Sequence, residues 1–386
     1  MKLLVLGGGL MGPAAAFQAM VSSTVEQVII CDESETQLRG ALAKLAGKPG
    51  ASKLGVVRLD LNNQAAAIKL IASFDVVVAA LPQAVSALAV QAALQAGTPI
   101  VDLSLLSHAA MLKLQALAQT TGGLAILGCG LEPGLTEIVA RYLAEQLDQV
   151  DELHIKCGGI PEKPDPPLGY KIVFGGRQLP LSESDARLVE NGQLKAVARY
   201  SGVERTAFSG VGEFEAYHEG FMSWLLDLPT LQNLRVGTQK TLRWPGYAAK
   251  IAILKEMGLL SQKPVQVDGV EVAPKKLLDA LLYPQVKLQE GEKDIVLFHV
   301  EVLGQKVGEH RRLQAEMVDR YDEKEDFTAM ARTTAFTGSI VAQMVARGDI
   351  QGSGLYHPEQ VIIGLLFEQL FEQLASAGIT FKITAE

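Results

Sequence analysis

The chain has 386 residues, with 43 acidic against 35 basic side chains and a formal net charge of −8. That length suits two or three domains, and 48% hydrophobic with 20% charged residues excludes a disordered chain. The acidic balance argues against a nucleic-acid partner, and three scattered cysteines (Cys31, Cys129, Cys157) cannot build a disulfide framework or a zinc site, so a reducing cytoplasm and no metal are expected.

Lys2 is followed by a short apolar run and then glycines, without a cleavage-site pattern, so no secretory leader is expected. Apolar runs at 3–6, 28–31, 56–59, 76–79, 100–103 and 124–127 read as strands. Several are apolar at nearly every position, as strands covered on both faces are. Between them, 11–20, 35–45, 64–72, 84–95 and 109–119 read as helices. This alternation predicts an α/β, doubly wound parallel sheet. Residues 76–101 carry no charge and are long enough to cross a bilayer. They contain Pro82, Gln83, Ser86, Gln91, Gln95, Gly97 and Pro99, so they read as strand, turn, helix, turn, strand, and no membrane partner is expected.

The pattern then changes. Residues 158–176 are rich in Gly and Pro and read as irregular. The runs 294–302 and 313–319 read as strands, with Gly304 and Gly308 between them, and 248–257 and 275–282 as helices covering one face. This predicts a second, α+β domain on a mixed, largely antiparallel sheet. Residues 334–346 and 358–375 read as helices. The expected organisation is a first, α/β domain at 1–128, rejoined by 332–386, and a second, α+β domain at 129–331.

The strongest local signal is Gly7-Gly8-Gly9-Leu10-Met11-Gly12, a G-x-G-x-x-G turn between a strand and a helix. In the Rossmann arrangement Gly7 permits the tight turn, Gly9 lets a pyrophosphate approach, and Gly12 lets helix and strand pack. The N–H groups around Leu10 and Met11 face the phosphates. Asp32 ends the second strand 20 residues after Gly12, where an acid accepts the ribose hydroxyls and repels a 2′-phosphate. NAD is therefore expected ahead of NADP. Asp60 follows the third strand and either reaches the adenine edge or is a helix N-cap or loop acid. Leu81 and Pro82 follow the fourth strand on the nicotinamide side. Asp102 either points into the cleft or caps the helix near Ser107.

Two glycine-rich turns come next, Gly128–Gly134 and Cys157–Pro161. The first precedes a periodic helix whose N-terminus could take a carboxylate; alternatively both turns punctuate a domain hinge. Tyr170-Lys171 pairs a phenol with an ammonium. His218 lies in Glu213-Phe214-Glu215-Ala216-Tyr217-His218-Glu219. Arg243 lies among aromatic residues in Thr241–Tyr247 and either binds a carboxylate bidentately or makes a surface ion pair. His108, His154, His299, His310 and His357 read as structural.

These motifs resemble those of the saccharopine dehydrogenase-like family over nearly the whole chain. The family's G-L-D-P-G turn is matched by Gly130-Leu131-Glu132-Pro133-Gly134, its C-G-G-L-P by Cys157–Pro161, its P-L-G-Y-K by Pro167–Lys171, and its T-L-R-Y-x-G-Y by Thr241–Tyr247. The Y-P-N-R-D-S segment of saccharopine reductases is replaced by Tyr217-His218-Glu219-Gly220-Phe221, without its Arg. That segment, Met330–Ala335 and Tyr356–Val361 resemble lysine 6-dehydrogenases instead. Glu132 and Cys157 point back towards saccharopine reductases. The resemblance implies hydride transfer between a nicotinamide cofactor and a C–N bond of lysine or a lysine-derived amino acid such as saccharopine, and a homodimer. His218 is the expected base, since oxidation needs an unprotonated amine. Tyr170, Cys157 and Glu132 are expected to orient the substrate. Arg243, with Lys171 and Gly158, is expected to hold it, all in the cleft between the domains. A non-catalytic nucleotide or amino-acid sensor and a carboxynorspermidine-type polyamine dehydrogenase are the alternatives.

Overall fold

The computed structural model describes residues 1–173, 176 and 178–386. The chain folds into two units. The first comprises Met1–Ile138, Glu323–Phe327 and Ala331–Ile379; the second comprises Val139–Asp322, Thr328–Met330 and Thr380–Glu386. Residues 129–138, expected in the second domain, cluster with the first unit.

The first unit is built on strands β1 (Lys2–Leu6), β2 (Gln27–Asp32), β3 (Leu54–Arg58), β4 (Val76–Ala79), β5 (Ile100–Asp102) and β6 (Leu124–Leu127). A seventh strand, Gly354–Tyr356, pairs in parallel with β6. In sheet order they run Gly354–Tyr356, β6, β5, β4, β1, β2, β3, all parallel. The seventh strand is three residues long and opens on Gly354, too short to show a pattern in the sequence. The crossovers are α1 (Gly12–Val21), α2 (Glu35–Leu45), α3 (Gln64–Ile71), α4 (Gln83–Ala96) and α5 (His108–Thr121). Ser34, Asn63 and Ser107 cap α2, α3 and α5 by accepting from backbone N–H groups of the first turn. The tract 76–101 is therefore strand, helix and the start of a strand, and among the described residues no helix is long and apolar enough to cross a membrane.

The central strands are buried on both faces, which explains their continuous apolar runs. Helix α1 has almost no polar face. It packs against helix Thr337–Arg347, where Ser339 Oγ donates to the Ala15 carbonyl (3.0 Å) and Gln343 Nε2 to Gln18 Oε1 (2.6 Å). That helix begins with a wide π-helical turn at Arg332–Phe336. The expected helix 358–375 is two pieces, Pro358–Val361 and Leu365–Ser376, broken before Gly364, a poor helix former.

Helix α6 (Leu135–Ala144) begins in the first unit and ends in the second, where β7 (Gln149–Pro161) follows it. It is followed by β8 (Ala186–Glu190), β9 (Gln193–Val197), β10 (Glu204–Phe208), β11 (Gly212–His218), β12 (Val236–Arg243), β13 (Val265–Val267), β14 (Val270–Val272), β15 (Asp294–Lys306) and β16 (Glu309–Arg320). The main sheet runs β10, β11, β12, β7, β15, β16 and Lys382–Ala385, with β8 and β9 attached to β12. Only β7 and β12 pair in parallel; the other pairings are antiparallel, so the sheet is mixed as expected. Residues 158–161, read as irregular, continue β7; of the rest of that stretch, 174 and 175 lie outside the described residues. The β15–β16 turn is at Val307-Gly308, and Gly304 stays inside β15, at a bulge. Helices α7 (Tyr247–Glu256) and α8 (Pro274–Val286) pack on a cluster that contains Tyr170, Tyr200, Tyr217 and Tyr247.

Candidate active site

In the first unit the glycine loop has the form its sequence implies. Gly7 lies at φ 104°, and the Ala80 carbonyl oxygen occupies the place a Cβ would take. The Gly7 carbonyl in turn crowds that place at Gly12, which brings helix and strand together. At Gly9 nothing lies within 4 Å of it, so the space before the loop is open. Met11 stands at the N-cap of α1 without a side-chain hydrogen bond, beside an exposed Leu10, so no side chain caps the helix. Asp32 accepts from the Gly8 N–H through Oδ2 (2.8 Å) and from the Ser34 N–H through Oδ1 (2.8 Å). A carboxylate is thus locked at the strand end, beside the loop. Glu35 stands nearby, its Oε1 bonded to Arg58 Nη1 (3.2 Å), and Arg58 Nε donates to the Glu33 carbonyl (2.9 Å). The open cradle, uncapped helix and strand-end acid fit a dinucleotide.

The flanking residues are more varied. Asp60 is exposed and accepts from both the backbone and side chain of Asn62 (2.8 and 2.9 Å), so it closes the loop. Leu81 packs against the Gly7 turn and Pro82 stands at the N-cap of α4. Asp102 is fully buried; it accepts from Ser86 Oγ and from the N–H and hydroxyl of Ser104 (2.9 and 3.0 Å). Burial pushes its pKa up to about 6, against those hydrogen bonds. It does not cap α5; Ser107 does.

The helix N-terminus after Gly134, expected to receive a carboxylate, has one from its own chain. Buried Glu137 accepts from the Gly134 N–H (2.6 Å) and Thr136 Oγ1 (2.8 Å) through Oε2. Glu132 is partly exposed in that turn, in the first unit; Cys157, Tyr170, His218 and Arg243 belong to the second.

The second unit gathers its chemistry around Arg243. Glu215 and Tyr217 of β11 lie opposite Arg243 and Thr241 of β12. Side chains alternate along a strand, so Glu215, Tyr217 and Arg243 share one face. The Arg243 guanidinium sits 4.9 Å from the Tyr170 ring centroid and 5.6 Å from that of Tyr247, and Tyr247 stacks on Tyr217 at 5.9 Å. Arg243 is 6% exposed. It donates from Nη1 to the Leu242 carbonyl (2.8 Å), and Nε has no partner. Its cross-strand neighbour Glu215 is committed elsewhere, accepting from the Gly246 N–H (2.7 Å) and Ala248 N–H (2.6 Å) at the start of α7. Glu219, the other acid within reach, is paired with Arg199. Among the described residues, a permanently charged guanidinium is therefore buried among three phenols with no carboxylate paired to it, an arrangement that is costly unless an anion completes it. The Tyr170 hydroxyl is likewise buried and without a partner. Burial raises its pKa although Arg243 opposes the shift, so it stays protonated at neutral pH.

Three expected site residues have other work. Lys171, expected to assist Arg243, is buried between Asp165 Oδ2 (2.8 Å) and Glu292 Oε1 (2.9 Å). Burial works against its charge, but the two acids outweigh burial and raise its pKa, so it is already neutralised. Gly158 is a packing glycine: the Leu242 carbonyl of the adjacent strand fills its Cβ place. His218 follows Tyr217 and so points to the opposite face from Arg243, where its ring rests on Gly202 across from Lys240. Burial and then the Lys240 charge lower its pKa, against Glu204. Cys157 is buried in mid-sheet, in register with Thr241 and Phe298. The sequence reading missed Tyr217, Tyr247 and Glu215; the signal was the period-two spacing of Glu215 and Tyr217 and the offset of Tyr247 from Arg243.

Comparison with known proteins agrees with both halves. Residues 3–126 match the saccharopine dehydrogenase NADP binding domain, and 130–379 the saccharopine dehydrogenase C-terminal domain. The chain is 22% identical to the saccharopine dehydrogenase [NADP(+), L-glutamate-forming] of Schizosaccharomyces pombe, over 84% of this chain and 87% of that one. It is 23% identical to the carboxynorspermidine synthase of Vibrio cholerae, over 99% and 97%. The apo saccharopine dehydrogenase (L-Glu forming) from Saccharomyces cerevisiae has the same fold, with a TM-score of 0.82 at 19% identity over 100% of this chain and 99% of that one. With both of its parts matched, the chain belongs to the saccharopine dehydrogenase family and is an oxidoreductase with a nicotinamide-nucleotide-binding unit.

Proposed function

We propose that this chain is an NAD(H)-dependent oxidoreductase acting on the C–N bond of lysine or a lysine-derived amino acid such as saccharopine. The observation that carries the reading is buried Arg243 in its tyrosine cage, paired with no carboxylate among the described residues. A substrate carboxylate supplies the missing anion, in a bidentate pairing that lysine could not reproduce. The Tyr170 phenol, held protonated, donates a hydrogen bond to the substrate, and Tyr217 and Tyr247 keep water from the guanidinium. When bound, the nicotinamide gives or takes the hydride. The glycine loop holds its pyrophosphate and Asp32 its ribose. On oxidation the substrate carbon–nitrogen bond becomes an imine, which water opens to a carbonyl and an amine. The base that deprotonates the amine is not His218 for a substrate anchored at Arg243, because the two side chains point to opposite faces of the sheet. Neutral Tyr170 suits the reverse direction, as a hydrogen-bond donor to the imine.

The names of the matched domain and of the fission-yeast relative carry NADP. In this chain Asp32 is fixed at the strand end beside the loop and Arg58 is paired with Glu35, which supports NAD(H). A carboxylated polyamine is the second substrate reading; it rests on the carboxynorspermidine synthase relative, which matches the chain over nearly its whole length. Incubation with NAD⁺ or NADP⁺ and, separately, lysine, saccharopine, ornithine or carboxynorspermidine tests all of these. Cofactor reduction with a lysine-type substrate and NAD⁺ is the expected result. Reduction with carboxynorspermidine alone selects the second reading. Tight NADH binding without turnover of any of them selects the sensor.

A further inference from the structure

The third strand ends beside the second, next to the glycine loop. Arg58, the last residue of β3, is in register with Asp32, the last residue of β2. Residues in register on neighbouring strands turn their side chains to the same face of the sheet. Asp32 is bonded to the Gly8 N–H, and a Cβ at Gly8 would lie 3.4 Å from Gln37 in the first turn of α2. The loop, the strand-end acid, the start of α2 and Arg58 are therefore gathered at one corner of the first unit.

Two groups from the turn between β2 and α2 hold Arg58 there. Nε donates to the Glu33 carbonyl (2.9 Å) and Nη1 to Glu35 Oε1 (3.2 Å). The two side chains of the ion pair are 66% and 62% exposed. An exposed pair of this kind adds little to stability, so the fold does not depend on it. Nor would its loss strand Glu35. Arg39 stands four residues on along α2, exposed like Glu35, in the acid-first order that favours i, i+4 pairing. The pair is thus a loose clamp on the cation nearest in register to Asp32.

We propose that Glu35 sets cofactor choice together with Asp32, by holding Arg58 as a latent ligand of a 2′-phosphate. The proposal rests on the reading of the glycine loop as a dinucleotide site. A ribose held by Asp32 brings its 2′ position to this corner. A 2′-phosphate there carries more charge and more acceptor oxygens than the Glu35 carboxylate, and a guanidinium fork fits it bidentately. A plain ribose offers Arg58 no such exchange. With Glu35 in place Arg58 is neutralised and NADH is favoured; without Glu35 the guanidinium is free to turn to the phosphate of NADPH.

Equilibrium binding of NADH and NADPH to the full chain, read by nicotinamide fluorescence without any amino-acid substrate, tests this. Wild type, Glu35→Gln, Arg58→Gln and the double variant form a cycle. Both side chains are exposed, so all four proteins should fold. Glu35→Gln should lower the NADPH Kd relative to the NADH Kd by about threefold or more. Adding Arg58→Gln should abolish that gain. A ratio that Glu35→Gln leaves unmoved overturns the proposal. So does a gain that survives the loss of Arg58, because it would then come from removing an acid and not from freeing a ligand. The wild-type ratio tests the NAD(H) preference by itself, whereas this proposal is read only from how the ratio changes between variants. Binding of neither nucleotide overturns both.

Discussion

Asp32 is held by the N–H groups of Gly8 and Ser34, so its carboxylate cannot swing away from an incoming ribose or 2′-phosphate. Asp32→Ser should therefore weaken NADH by the loss of a charge-assisted hydrogen bond, roughly 1.5–3 kcal/mol, and should raise relative affinity for NADPH. Dissociation constants for both cofactors check this; an unchanged ratio would remove Asp32 from the ribose site. Gly9 differs from its neighbours in the loop because its Cβ position is open. Gly9→Val should leave the melting temperature nearly unchanged while abolishing dinucleotide binding, whereas a Gly12 substitution should damage the fold as well. Both residues were legible in the sequence because their roles depend on local backbone spacing. The role of Arg243 was only half legible. Its residue type suggested a carboxylate, but that no acid of the described residues pairs with it depends on Glu215 and Glu219 being committed to other partners, which three-dimensional packing alone decides.

At the scale of elements, strand alternation separates residues that are neighbours in the chain. Tyr217 and His218 were read together as one polar segment, yet β11 turns one towards Arg243 and the other away. His218→Gln should accordingly leave kcat and the substrate KM within about twofold of the wild type; loss of kcat with one limb of the pH–rate profile flattened would restore it as the base. Glu215 joins β11 to α7 by accepting the Gly246 and Ala248 N–H groups. Glu215→Gln keeps one acceptor and loses the charge at the helix N-terminus, which should cost about 0.5–2 kcal/mol in denaturant unfolding. Most crossover helices and strands were legible from periodicity, within a residue or two at their ends. The strand Gly354–Tyr356 and the break before Gly364 were not, since a three-residue strand has no period and the apolar pattern runs on through the break.

At the scale of the whole molecule, buried Asp102 makes stability depend on pH in a direction opposite to that of an ion-paired acid, whose pKa is lowered on folding. The Asp102 carboxyl is pushed up to about 6 by burial. Its folded pKa lies above its unfolded value, so the folded state binds more protons between about pH 4 and 6, and the stability this group contributes is lost as pH rises through 6. The loss is on the order of 2–3 kcal/mol. Asp102→Asn should flatten that fall, seen as a melting temperature that changes less between pH 4 and 7 than in the wild type. The most direct test of substrate binding at the tyrosine cage is the steady-state kinetics of Arg243→Gln beside the wild type, with the amino acid and the cofactor varied in turn. A charge-assisted pairing worth roughly 1.5–3 kcal/mol should raise the KM for the amino acid about 10- to 100-fold, with kcat and the cofactor KM nearly unchanged. An unaltered amino-acid KM in a variant that merely melts at lower temperature would contradict the assignment, and would make Arg243 a buried structural charge.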